Sequence, residues 1–508
     1  MIENDQRMQL RAREMPLEIH GSEFRRLGHQ LVDQIAEFLD DLPQRPVTSG
    51  KSHLAIRELL GGDVLPENGS AAKDLLIEVS DLLFDNSLHN GHPRFWGYIT
   101  SSAAPIGILA DLLAGAVNPN VGAAILSPIA SEIEAQLIRW IADLIGYPRT
   151  CGGLMVSGGN MANFVCFLAA RNSKASWDIS TEGLASSDHP KLLAYVSEET
   201  HTWIDKAAEL FGMGGNSIRW IETDSDQKMK MAALENKIIT DRNEGFLPFM
   251  VVGAAGTVGT GAIDDLPAIA ALCKKYDLWF HVDGAYGAPA AMLPDASVQL
   301  KGLSEADSIA LDPHKWLYAP LEAGCALVRD PQHLVDTFTH TPSYFKFAST
   351  EDVPPINFHE IGLQNSRGFR ALKVWLGLRQ VGKEGYIQMI GDDIALAKVL
   401  YQIAEDSPDL EAGSHSLSIT TFRYVPTDLP DKNTEVEAYL NELNESLLTQ
   451  LQAGGEVFIS NAALDGKYLL RACIVNFRTT LGDIEALPQV VIQIGQKLDN
   501  DIRPPNLR

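Results

Sequence analysis

The stretch Asp307–Pro320, DSIALDPHKWLYAP, decides how the rest of the chain is read. SIALD (308–312) is short and mostly apolar and runs into Pro313, the pattern of a buried strand. Directly beyond it stand His314, Lys315 and Trp316. A solvated lysine needs neither an imidazole nor an indole for company. Outward from this stretch, similar β-rich runs recur: LLAYVS (192–197), FMVVGAA (249–255), LWFHVD (278–283) and CALVRD (325–330). Helix-like segments such as TWIDKAAELFG and LPAIAALCKKY lie between them. Such alternation predicts an α/β fold with a mainly parallel central sheet. Ligand sites in such sheets gather at the carboxyl ends of the strands. Lys315 falls at one predicted strand end, and Asp283, in HVDGAYG, at another.

The flanks read differently. Ser22–Pro43 carries apolar Phe24, Leu27, Leu31, Ile35 and Leu39 at helical spacing, with Ser22 as its predicted cap. Helical and polar segments continue to about residue 90. PIGILADLLAGAV and SEIEAQLIRWIADLIG are further amphipathic helices. After about 386 come a helical segment, the β-like runs SLSITTFRYVP and KYLLRACIVNFRTT, and a terminal helix. The expected division is therefore a helical segment over 1–90, a large α/β domain over 91–385 and a small α+β domain over 386–508.

Composition narrows the function. The 508 residues carry a net charge of −25, with no long Lys/Arg run, so neither nucleic acid nor an anionic membrane is an expected partner. Five scattered cysteines, in no metal-ligand spacing, suit reduced thiols in the cytoplasm. No metal site is expected. The N-terminal MIENDQRMQLRAREMP lacks the apolar core of a signal peptide. The longest apolar stretch is interrupted by Asp111 and is too short to span a bilayer.

Several of the predicted strand ends carry reactive groups. Lysine forms Schiff bases with carbonyl cofactors, and a pyridine cofactor held that way needs an acidic partner on its ring nitrogen. Lys315 and Asp283 suit these roles if their strands are neighbours; a plain salt bridge is the alternative. MVSGGNMANF (155–164) is a glycine turn opening a helix, either a simple cap or a phosphate site built on backbone amides. It is neither a Walker A loop nor GxGxxG. His201, in SEETHTW, can stack on a flat ring, move protons or simply pack. Thr257 follows another strand, and Ala285 is small enough for a ring to lie against.

DPHKW, HVDGAYG, SEETHTW and SGGNMANF, in their order along the chain, resemble the group II pyridoxal-phosphate-dependent decarboxylases, which act on aromatic amino acids, histidine, glutamate or diaminobutyrate. The likeness extends from SEFRRLGHQLVDQIAEFL to LRACIVNFRTT. It implies a fold of the aspartate-aminotransferase type (fold type I), pyridoxal 5′-phosphate as cofactor, and a homodimer with composite active sites. By the same resemblance Lys315 is the Schiff-base lysine, Asp283 the ring-nitrogen partner and His201 the stacked histidine, with Ala285 against the other ring face. Gly159, Asn160 and His314 then surround the phosphate, and Thr257 contacts the cofactor. Asp312 departs from the pattern, because aromatic-acid decarboxylases usually carry Asn there. Tyr344, in HTPSYFKFASTEDVPPINF (340–358), matches the loop tyrosine that returns a proton after CO2 leaves; Phe at that place goes with aldehyde synthases. HPRFWGYITSS (92–102) matches a pocket-lining segment, so Trp96, Tyr98 and Ile99 are expected at the substrate. Gly122, where the aromatic branch tends to have Phe, is expected to widen that pocket, and Arg94 is the candidate reader of an acidic side chain. The expected reaction is decarboxylation of a bulky aromatic L-amino acid to its amine. Acidic or aliphatic substrates, or aldehyde-synthase or aminotransferase chemistry, are the alternatives.

Overall fold

A computed structural model describes residues 4–13, 15–62, 64–185, 188–340, 355–431 and 433–507. The chain forms two compact units, 1–89 and 90–508.

The first unit is helical. Gly21–Asp41 and Ala72–Asn86 are its longest helices. The cap of the former is His20, whose Nδ1 accepts the Ser22 amide hydrogen, so the predicted capping role shifts from Ser22 to the residue before the helix. Leu27 is buried in this helix, whereas Phe24, also expected on its apolar face, is exposed.

The second unit is built on seven strands: β1 (Gly152–Val156), β2 (Leu192–Ser197), β3 (Ile218–Ile221), β4 (Leu247–Ala254), β5 (Trp279–Asp283), β6 (Ser308–Leu311) and β7 (Gly324–Val328). Their spatial order is β1-β7-β6-β5-β4-β2-β3. The run from β6 to β3 is parallel, and β7 pairs antiparallel with both β6 and β1. Helices cover both faces, which is why the strands read as nearly continuous apolar runs. Val251, Phe280, Val282 and Ile309 pack on one face. Met250, Val252, Trp279 and Ala310 pack on the other, against the helix Gly159–Lys174 and Trp203. The period of two within β5 sends His281 to that second face as well, and Asp283 follows it at the strand's end.

A smaller antiparallel sheet, β8 (Leu410–Ser416), β9 (Ile419–Tyr424), β10 (Ser460–Leu464) and β11 (Lys467–Cys473), has the order β10-β11-β9-β8. The helices Thr434–Gly454 and Leu481–Ile502 pack in its core. The helix Ala371–Asp406 connects the two sheets and is kinked at Gly382. Among the described residues no helix is long and apolar enough to cross a membrane.

Candidate active site

The carboxyl ends of β4, β5 and β6 open onto one cavity of about 500 Å³. Asp283 stands opposite Ala254 and Ala310 in the ladder, so three neighbouring parallel strands deliver their following loops to one place. The loop after β4 brings Gly256 and Thr257, that after β5 Ala285, and that after β6 Asp312, His314 and Lys315. Ser157–Asn160, after β1, and His201, after β2, complete that wall, and Ile99 lies on the lining too.

Asp283 is held rigidly. Trp203 donates its Nε1–H to Oδ2 at 2.8 Å, and the Ala285 amide donates to Oδ1 at 3.2 Å. Behind it runs a directional chain. Trp279 Nε1–H donates to Ser308 Oγ at 2.8 Å, and Ser308 Oγ lies 2.8 Å from His281 Nδ1. His281 Nε2 lies 2.7 Å from Asn163 Oδ1. An amide oxygen only accepts, so Nε2 carries the hydrogen and Nδ1 accepts from Ser308. Complete burial pushes the His281 pKa down to about 4, leaving this imidazole neutral.

Lys315 is held differently. Its Nζ lies 3.1 Å from Asp312 Oδ2, and His314 Nε2 lies 3.7 Å from the same oxygen. His314 Nδ1 accepts the Ala323 amide hydrogen at 3.1 Å, so the neutral ring turns its Nε2–H toward Asp312. Burial holds the His314 pKa below the ordinary histidine value. Asp312 is 2% exposed, and its Oδ1 has no hydrogen-bond partner.

The helix Gly159–Lys174 starts at the cavity, and its first amides have no acceptor within the helix. Gly159 is required by close approach: a Cβ there would lie 2.7 Å from Asp312 Oδ2 and 3.3 Å from the Ala285 Cβ. Gly256 has φ +95°, and a Cβ on it would meet the Tyr286 ring at 2.8 Å, so the turn leading to Thr257 admits only glycine without strain. Thr257 is buried, with its Oγ1 accepting the Ala262 amide hydrogen at 3.1 Å. His201 stands at the solvent-facing edge. Its Nδ1 accepts the Trp203 amide hydrogen at 3.3 Å, and desolvation lowers its pKa although Asp283 pulls the other way.

These groups fit pyridoxal phosphate. A primary amine and a fixed carboxylate face one cavity large enough for a pyridine ring, with a small side chain (Ala285) on its wall. A glycine-lined helix start supplies amides for a phosphate group.

Lys315, Asp283, His201, Gly159, Asn160, Thr257, Ala285, His314 and Ile99 are thus brought together. Two of the expected substrate residues are placed elsewhere. Trp96 is fully buried in the core of the small sheet, where it donates its Nε1–H to Thr479 Oγ1 at 3.0 Å; its backbone bonds to Phe458 and Cys473 draw it there. Tyr98 is exposed and does not line the cavity. Gly122 does not line it either, and a Cβ there would run into the Asn365 carbonyl. Arg94 is engaged by Asp483 at 3.0 Å and Glu456 at 3.6 Å. Tyr344 lies outside the described residues. Trp203, Asn163 and His281 were not anticipated, and neither were Glu199 and Glu322 on the lining. His281, two residues before Asp283 on the same strand face, was the legible signal among them.

The family described as pyridoxal-dependent decarboxylase conserved domain matches residues 57–425. An aromatic-L-amino-acid decarboxylase of Bacillus atrophaeus is 36% identical over 479 residues, covering 94% of this chain and 96% of that protein. A phenylacetaldehyde synthase of a Rosa hybrid cultivar is 27% identical and covers 89% of this chain and 90% of that protein. The crystal structure of Catharanthus roseus tryptophan decarboxylase in complex with L-tryptophan superposes with a TM-score of 0.85 at 26% identity, over 96% of this chain and 100% of that one.

Proposed function

We propose that this chain, which belongs to the pyridoxal-dependent decarboxylase family and has its fold type I architecture, removes the α-carboxylate of a bulky aromatic L-amino acid to leave the amine and CO2. The observation that carries the reading is the convergence of Lys315 and Asp283, from the ends of adjacent parallel strands, on one cavity floored by the Gly159 helix start.

Bound pyridoxal phosphate supplies an aldehyde for an amine to capture and a ring that takes up the electron pair released with CO2. Lys315 Nζ is the capturing amine. Asp283, its two oxygens already fixed by Trp203 and the Ala285 amide, holds the proton on the ring nitrogen. The neutral His281 behind it adds no positive charge that would compete for the carboxylate. His201, with Nδ1 occupied, has Nε2 left for the cavity it lines, and Ala285 offers a small wall. The amides of Gly159 and Asn160, with His314 beside them, hold the phosphate, and Thr257 supplies a hydroxyl. Tyr344 would be the residue that supplies the proton the product carbon takes up.

The aromatic assignment is supported by the named activities of the B. atrophaeus and C. roseus proteins. Among the described residues no arginine lines the cavity, whereas Glu199 and Glu322 do. Glu322 engages Arg370 at 2.8 Å, so that guanidinium is already taken by a carboxylate. The apolar lining comes from Ile99, Met161, Val258 and Leu321. A homodimer is supported by the apolar side chains left exposed on the helix Pro105–Val117 (Leu109, Leu112, Leu113 and Val117) and just beyond it (Ile125, Leu126 and Ile129). Five free cysteines, four of them buried, are in keeping with a cytoplasmic protein.

The test is a product survey in which purified protein with pyridoxal phosphate is offered each common L-amino acid and products are identified by mass spectrometry. Amine and CO2 from tyrosine, tryptophan or phenylalanine is the expected result. Amines from acidic, aliphatic or cationic substrates alone would overturn the aromatic assignment. The aldehyde, with hydrogen peroxide, would favour the second reading, which the rose relative motivates and Tyr344 opposes.

A further inference from the structure

Among the described residues the Lys315 side chain has one polar partner, Asp312, so its aim depends on the backbone beneath it. That backbone is an unusual turn. The Tyr318 amide donates to the Lys315 carbonyl at 3.1 Å, and Tyr318 sits at φ +53°, a left-handed conformation costly for a residue with a Cβ. Such a turn persists only when its surroundings over-determine it.

One atom does much of that. Asp393, on the helix Ala371–Asp406, is 2% exposed. Its Oδ2 accepts the Trp316 Nε1–H at 2.9 Å and the Tyr318 hydroxyl at 2.7 Å. Both donors come from the turn that Lys315 opens. Trp316 also stacks on Tyr286, at 4.8 Å between ring centroids and 20° between planes, and Tyr286 belongs to the loop that Asp283 begins. Tyr386, from the same long helix, donates its hydroxyl to the Leu317 carbonyl at 3.2 Å. With Trp316 pinned into the core, its neighbour Lys315 is turned toward the cavity.

We propose that Asp393 is a positioning residue for Lys315, fixing the 315–318 turn through a two-donor hydrogen bond to Trp316 and Tyr318. Asp393 itself does not line the cavity. The role needs an acceptor oxygen at this place, and an amide oxygen can also accept from two donors. Burial pushes the Asp393 pKa up to about 7, in keeping with a group kept for its hydrogen bonds in a site that disfavours its charge.

The inference rests on Lys315 being the cofactor's amine, which Lys315→Ala tests separately. If that variant keeps wild-type cofactor affinity and visible absorption, the lysine assignment fails, whatever Asp393 does. The test of Asp393 uses cofactor affinity by equilibrium dialysis and the pH titration of the bound cofactor's visible absorption, neither of which needs a substrate. Asp393→Leu should weaken affinity by about 10–100-fold, as small misplacements of a reacting group do, and displace the titration. Asp393→Asn should restore both most of the way to wild type. Trp316→Phe and Tyr318→Phe should each move affinity in the same direction by less, and neither should add to Asp393→Leu. The last two variants carry the test if the leucine variant fails to fold. A leucine variant with a lowered thermal midpoint but unchanged affinity and titration would reduce Asp393 to a structural group and overturn the proposal. An asparagine variant as damaged as the leucine one, or single-donor variants with wild-type affinity, would overturn it too.

Discussion

The two strand ends that make the site are built on opposite plans. At the end of β5 the side chain itself is held: both Asp283 oxygens accept a hydrogen bond, from the fully buried Trp203 Nε1 and from a backbone amide. At the end of β6 the backbone is locked and the side chain is not. Lys315 has one ion pair at 3.1 Å, while Trp316 and Tyr318 around it are held from below by Asp393. The difference follows the chemistry each residue has to do. A carboxylate that only holds a proton on a ring gains from rigidity, because fixed dipoles need no reorganisation during the reaction. An amine that must make and break a covalent bond needs free torsions above a fixed base.

The largest effect breaks the comparison on the lysine side. Lys315→Ala removes the capturing amine and should lower turnover on the order of 10³-fold or more, with loss of the cofactor's visible absorption. Retained turnover would end the lysine's assignment. On the other side Asp283→Asn keeps the shape and removes the charge. It should leave cofactor bound and coloured while lowering turnover on the order of 10²–10³-fold, an electrostatic loss. If turnover survived, the ring nitrogen would have another partner.

The next prediction sharpens the contrast. Trp203→Phe removes one donor from Asp283 and no mass from the cavity. A hydrogen bond to a charged group is worth about 1.5–3 kcal/mol, so turnover should fall roughly 10–100-fold, on top of the lowered thermal midpoint expected from shrinking a fully buried indole. A loss of stability with unchanged turnover would mean that the indole serves the core and not the carboxylate.

How much of this was legible in the sequence differs between the same two places. The strands β2, β4, β5, β6 and β7 showed as apolar runs because helices bury both faces, and their polar ends stood out against them. β1 did not show. It opens with Gly152 and Gly153, where a Cβ would meet Pro331 at 2.8 Å and the Ala326 carbonyl at 2.6 Å, so close approach of neighbours removed the β-branched residues that mark a strand. The four described strands of the small domain showed by halves: β9 and β11 read as β, while LEAGSHS and SNAAL carry no β-branched residue. Trp203, Asn163 and Asp393 escaped because hydrogen bonds across 80, 118 and 77 positions leave no local trace. Trp96 misled for the converse reason. Apolar bulk beside a recognised motif does not reveal which sheet it will pack under.

The smallest predicted effect concerns pH and separates the buried histidine from the buried acid behind the two strand ends. His281 has its folded pKa lowered to about 4 from an ordinary 6.5, so the native state binds fewer protons than the unfolded chain between those values. Its contribution is present above pH 6.5 and is lost as pH falls toward 4, by at most about 3 kcal/mol. Asp393 runs the other way. With a folded pKa raised to about 7 from 3.8, its contribution is complete below pH 3.8 and is lost as pH rises through 7. In the shared window, pH 4 to 6.5, the two slopes oppose each other, and the wild-type curve will understate both. Difference curves from urea unfolding isolate them. His281→Gln should flatten the acid-side loss of stability relative to wild type, and Asp393→Asn should flatten the loss on going to neutral pH. A histidine variant whose difference from wild type is constant across pH 4–7 would mean that His281 titrates alike in the folded and unfolded chain, and the neutral imidazole behind Asp283 would then have to be given up.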